Sequence, residues 1–151
     1  MTLKIAIAAD HGGFDLKEDI KKFVFTDLNI EWIDLGTHSN ESVDYPEYGF
    51  KISQALENDR VNTGVIICGS GIGISIAANR NSHIRAALCT STEMAKLSRE
   101  HNNANVLALG ARITDRDNVM KIVQTFLTTE FEGGRHARRV EKLSGGCSHA
   151  E

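Results

Sequence analysis

Three glycines at alternate positions, led by a cysteine, make Cys68-Gly69-Ser70-Gly71-Ile72-Gly73 the segment of this sequence best suited to chemistry. At a strand-to-helix turn such a run exposes successive backbone N–H groups, a nest for an anion or a developing oxyanion. A tight turn also uses glycine, but one would suffice for that. Cys68 stands at the lip of the loop, where the positive end of the following helix would lower a thiol pKa from ~8.5 and raise the thiolate fraction. A cysteine ending a strand is equally an ordinary core residue. Asp10-His11-Gly12-Gly13 sets a carboxylate and an imidazole beside glycines that let the backbone approach a ligand. A helix cap followed by a surface histidine has the same pattern. His101 stands among amides in the run from Ser98 to Asn105, and Arg112 follows Gly110-Ala111. Arg135 and Arg139, four residues apart, share a face if helical and form a fork for phosphate, although a solvated charge run would look alike. Cys89, followed by Thr90-Ser91-Thr92, reads as structural, and Cys147 lies in a loose tail without a role.

The elements that must position these groups can be read from hydrophobic periodicity. Apolar runs rich in β-branched residues at Leu3–Ala9, Ile30–Leu35, Val65–Cys68, Ile84–Cys89 and Val106–Leu109 predict five strands. Their continuous apolar character is that of parallel strands covered on both faces. Leu16, Ile20, Phe23 and Val24 recur at helical spacing after the first run, as do Val119, Ile122, Val123, Phe126 and Leu127 after the fifth. Pro46, the only proline, suits the opening turn of a helix through Leu56. Strand and helix alternate, which predicts an α/β fold: a three-layer α/β/α, Rossmann-like, doubly wound sandwich on a five-stranded parallel sheet. Residues 1–143 read as one domain and 144–151 as a mobile tail. In such a fold the ligand lies beyond the carboxyl ends of the strands, where helix N-termini converge.

Composition narrows the function classes. A length of 151 residues supports one core without disulfides or metal. The formal net charge of −3 argues against a nucleic-acid binder, which needs a far more basic surface. The N-terminus lacks a signal-peptide layout and no run reaches membrane length, so a cytoplasmic protein without membrane association is expected. Three widely spaced cysteines fit neither a disulfide framework nor a paired zinc motif.

Taken in order, Asp10-His11-Gly12, Asp44-Tyr45-Pro46, the loop from Cys68 to Ser75, His101-Asn102, Arg112 and Gly133-Gly134-Arg135-His136 closely resemble the B-type ribose-5-phosphate isomerases, from about Lys4 to Leu143. The resemblance implies interconversion of ribose 5-phosphate and ribulose 5-phosphate through an enediolate, with no cofactor and no metal. It implies Cys68 as the proton-abstracting base and His101 as the ring-opening residue. Substrate-binding positions are implied at Asp10, His11, Tyr45, Gly69, Ser70, Gly71, Ile72, Gly73, Asn102, Arg112, Arg135 and Arg139. Ser70 stands where some members carry threonine, which keeps the hydroxyl. A sugar phosphate is the implied partner, and the implied assembly is a homodimer or dimer of dimers with shared active sites.

Two other readings compete. An isomerase of allose 6-phosphate or galactose 6-phosphate would share most of these motifs. A nucleotide-binding module is invited by the fold and by Asp34 ending the second strand, but neither glycine segment has the G-x-G-x-x-G spacing, and no Gly-Lys-Ser/Thr follows.

Overall fold

The computed structural model describes residues 1–145. Five strands, β1 (Thr2–Ala9), β2 (Asn29–Asp34), β3 (Gly64–Cys68), β4 (Ala86–Leu88) and β5 (Val106–Gly110), alternate with helices. The helices are α1 (Phe14–Lys22), α2 (Tyr45–Glu57), α3 (Ile72–Asn79), α4 (Thr92–Glu100), α5 (Arg116–Thr128) and α6 (Arg135–Ser144). The expected three-layer fold is therefore present, with all strand pairs parallel in the order β2-β1-β3-β5-β4.

Period-two alternation sorts the apolar strand residues between two cores. Ile5, Ile7, Ala9, Val65, Ile67, Leu107 and Leu109 pack with residues of α1, α4 and α5. Ala6, Ala8, Ile66, Cys68, Val106 and Ala108 pack with α2 and α3. The second set is small, which lets its helices sit close to the sheet. The two helices also approach each other where Gly49 of α2 meets α3, since a methyl group there would lie 2.9 Å from the Ala77 Cβ.

The chain leaves β1 toward β2 on one side and returns to β3 on the other, so a crevice opens between the carboxyl ends of β1 and β3. β5 then inserts between β3 and β4. Cys68 consequently lies in register with Gly110, and the loop after β5 borders the crevice.

Three boundaries depart from the expected ones. α1 stops at Lys22, so Phe23 and Val24, expected on its apolar face, lie beyond it, with Phe23 extended at the C-cap and both side chains exposed. β4 is shorter than Ile84–Cys89 because side chains replace the ladder at its start. Asn105 accepts from the Arg85 amide and donates to the His83 carbonyl, while Asn79 bonds both Ala86 backbone groups along the sheet edge. α6 runs through Ser144, where a loose tail is expected to begin, and the Gly145 amide bonds back to the Glu141 carbonyl. Residues 146–151, with Cys147, lie outside the described residues. No helix among those described is long and apolar enough to cross a membrane.

Candidate active site

At the crevice the glycine loop takes the form its sequence demands. Gly71 adopts a left-handed φ of 80° and ends the turn as the N-cap of α3. Its amide donates to Cys68 Sγ at 3.1 Å, and the Ile72 amide donates to Ser70 Oγ at 3.2 Å. The following first-turn amides of Gly73 and Ile74 have no intrahelical acceptor and carry the positive end of the helix dipole. The thiol that closes β3 thus stands inside a group of backbone donors.

Neighbouring loops complete this half of the site. The Arg112 amide donates to the Gly69 carbonyl and the Ala111 amide to the Cys68 carbonyl, both at 2.9 Å, locking the β3 and β5 loops together. The Arg112 guanidinium lies across both glycine turns: a methyl group at Gly69 would stand 2.9 Å from Nη1, and one at Gly12 would stand 3.5 Å from Nη2. Asp10 is buried, and its Oδ1 accepts the Gly13 amide at 3.2 Å, so it closes the turn that leads into α1. His11 Nδ1 accepts the Val43 amide at 3.1 Å, which leaves the proton of the neutral ring on Nε2 as a donor. Tyr45, at the start of α2, lies against the glycine loop, because a methyl group at Gly73 would come 2.5 Å from its ring.

Asp34 is not available to a ribose. Its Oδ2 meets Lys17 Nζ at 2.5 Å and Lys21 Nζ at 2.7 Å, and its Oδ1 accepts the Gly36 amide at 2.9 Å. Burial would raise its pKa, but the two lysines and the Gly36 bond prevail and bring it to about 2. Cys89 is fully buried and its thiol is pushed up to about 11, which suits the structural reading.

The remaining sequence candidates gather elsewhere. α4 starts beyond β4 and runs back along the sheet, so His101, its C-cap, and Asn102 lie at the amino ends of β4 and β5. There the Asn105 amide reaches the Arg85 carbonyl and the Gly64 amide reaches Asn105. α6 begins at the same place: His136 stacks on His101 with ring centroids 4.3 Å apart, and Arg135 and Arg139 are exposed on this helix. About 15 Å of β5 separates this group from Cys68 within one chain. Of the candidate residues, Asp10, His11, Tyr45, the Cys68 loop and Arg112 therefore lie at the carboxyl ends of the strands, where a ligand is expected, and His101, Asn102, Arg135 and Arg139 do not.

Sequence reasoning passed over His136 and Glu132 as site residues, although the Gly-Gly-Arg-His motif contains the former. Ligand atoms of His101, Glu132 and His136 lie within 4.8 Å of one another. Stacked rings only 16° from parallel, however, keep their in-plane nitrogen lone pairs in two separate, nearly parallel planes, which do not converge on one metal ion.

A family model described as ribose/galactose isomerase matches residues 5–143. Ribose-5-phosphate isomerase B of Escherichia coli is 44% identical over 141 residues, covering 93% of this chain and 94% of that one. Among solved structures, ribose-5-phosphate isomerase B of Clostridium thermocellum is 50% identical with a TM-score of 0.87, covering 95% of this chain and 96% of that one. The Mycoplasma genitalium enzyme of the same name, solved with bound ribulose 5-phosphate, is 38% identical with a TM-score of 0.84 and covers 95% of each chain.

Proposed function

The chain belongs to the ribose/galactose isomerase family and is a sugar-phosphate isomerase, and we propose that it interconverts ribose 5-phosphate and ribulose 5-phosphate. The observation that carries this reading is Cys68 Sγ held at 3.1 Å from the Gly71 amide, in a loop of backbone donors faced by Arg112. Bound ribulose 5-phosphate in the Mycoplasma genitalium relative supports the five-carbon substrate.

Isomerisation needs one base that moves a proton between adjacent carbons and donors for the oxyanion formed between them. His101 opens the furanose ring, with Asp10 orienting hydroxyls. The Cys68 thiolate takes the C2 proton, leaving an enediolate whose oxygens face the loop amides of Gly69 to Gly73. The thiol returns the proton to C1, and one hydroxyl proton passes from O2 to O1. Arg112, Arg135, Arg139 and His11 grip the phosphate while Asn102 and Tyr45 line the pocket. Remote binding energy at the phosphate thereby positions the reacting carbons.

Because His101 and Cys68 lie at opposite ends of one sheet, the reading requires a second copy to supply His101, Asn102, Arg135 and Arg139. A homodimer or a dimer of dimers would do so. An apolar strip beside the glycine loop supports this assembly: Ile72 and Ile76 of α3 are 54% and 56% exposed.

Parallel assays of ribose 5-phosphate, allose 6-phosphate and galactose 6-phosphate, with chelator present, test the reaction. Ribose 5-phosphate is expected to give the highest kcat/KM; a six-carbon winner would reassign the substrate, and no ketose from any would refute the reaction. Sharing is tested by mixing inactive Cys68→Ala and His101→Asn proteins after dissociation. Random pairing restores one intact site in half the dimers, about a quarter of wild-type activity. No recovery, or a fully active monomer, would refute it.

A further inference from the structure

The imidazole of His101 is held by a second imidazole to which the proposed reaction assigns no step. His136 lies in the first turn of α6 with only 7% of its surface exposed. Its ring covers that of His101 face to face, 4.3 Å between centroids and 16° from parallel. Glu132 Oε2 lies 3.8 Å from His136 Nε2, and the Glu132 amide bonds to the Glu100 carbonyl at 3.1 Å. The segment leading into α6 is thus tied to the residue just before His101.

The backbone around His101 is already fixed by other means. Asn103 adopts a left-handed φ of 46°. Arg99 Nη1 donates to Asn103 Oδ1 at 3.0 Å and to the Ala104 carbonyl at 2.6 Å, while Arg85 Nε donates to the Asn103 carbonyl at 2.9 Å. With the turn clamped, the freedom left to the half-buried His101 is rotation about its side-chain bonds. The flat face of His136 removes that freedom.

We propose that His136 is a positioning residue for the same reaction: it fixes the plane of the His101 imidazole for ring opening and has no part in enolisation at Cys68. This inference rests on the reading of His101 given above. A neutral ring suits the task, because two imidazolium rings at this separation would repel each other. Burial holds the His136 pKa below its ordinary range, the neighbouring charges of His101, Arg135 and Arg139 push the same way, and Glu132 alone opposes them.

Two assays separate ring opening from enolisation. Net conversion of ribose 5-phosphate requires both. Entry of solvent deuterium at C1 of ribulose 5-phosphate requires only Cys68 and the loop amides, since this ketose carries its phosphate on the oxygen that would close a furanose ring. His136→Ala should lower net conversion about tenfold or more while deuterium entry stays within about twofold of wild type. His136→Phe restores a flat ring without a titrating group and should recover most of the lost turnover. Equal losses in both assays, a Phe variant no better than Ala, or an unaffected Ala variant would each overturn the inference. His101→Asn, run alongside, must show the same split. If it does not, the reading of His101 fails and takes the inference with it, whereas a split in His101→Asn alone fails the inference only. Circular dichroism of each variant verifies that the fold is intact.

Discussion

Replacing Gly71 by alanine tests the loop where backbone geometry and chemistry coincide. The left-handed φ of 80° costs an L-residue about 1–2 kcal/mol. The added methyl group also meets the Leu88 Cδ1 at 2.6 Å, the Leu109 carbonyl carbon at 2.8 Å and the Gly110 nitrogen at 3.0 Å. The leucine side chain can rotate away, but the two backbone atoms belong to buried β5 and cannot, which adds an overpacking cost of about 1–3 kcal/mol. Gly71→Ala should therefore lose about 2–5 kcal/mol. Gly133 provides the comparison, because its φ of 69° is also left-handed yet nothing lies within 4 Å of an added methyl group. Gly133→Ala should lose only the conformational share, about 1–2 kcal/mol. To relieve the contact the loop must retreat from β5 and carry the Gly71 amide away from the Cys68 sulfur, so kcat should fall about 100-fold, as when one donor leaves an oxyanion site. Urea unfolding at one protein concentration and initial rates with ribose 5-phosphate measure both effects. Equal destabilisation of the two variants, or a Gly71→Ala kcat within about tenfold of wild type, would refute the reasoning.

Other perturbations follow from the same structure. Because the folded-state pKa of Asp34 is depressed to about 2, its carboxylate contributes stability above the unfolded-state value near 4, and that contribution is lost as pH falls from about 4 toward 2. The contribution is about 2 kcal/mol, so urea midpoints should fall more steeply across this window in wild type than in Asp34→Asn; parallel curves would contradict it. Arg112→Lys keeps the charge but loses the planar fork, and should lower kcat/KM for ribose 5-phosphate by about 10–100-fold, mostly through KM. An unchanged KM would remove Arg112 from phosphate binding.

The sequence alone determined the layers of this protein. Runs such as Val65–Cys68 and Val106–Leu109 are apolar at every position, which only a strand covered on both faces can satisfy, and the intervening helical spacing supplied the covers. The glycine loop was legible for the same local reason: alternating glycines after a strand permit the left-handed turn at Gly71 that brings its amide to Cys68. Strand order was not legible, because it depends on which faces pack across the sheet and not on neighbouring residues. Only the tertiary structure inserted β5 between β3 and β4, putting Arg112 over Gly69, though 43 positions separate the two residues in the chain. It also decided that Asp34 is spent on Lys17 and Lys21, pairings that join α1 to the end of β2. Above all, it separated two groups that read as one site in the sequence. A helix returning along a parallel sheet must end at the opposite edge from where it began, so His101 lies at the amino ends of the strands and Cys68 at the carboxyl ends.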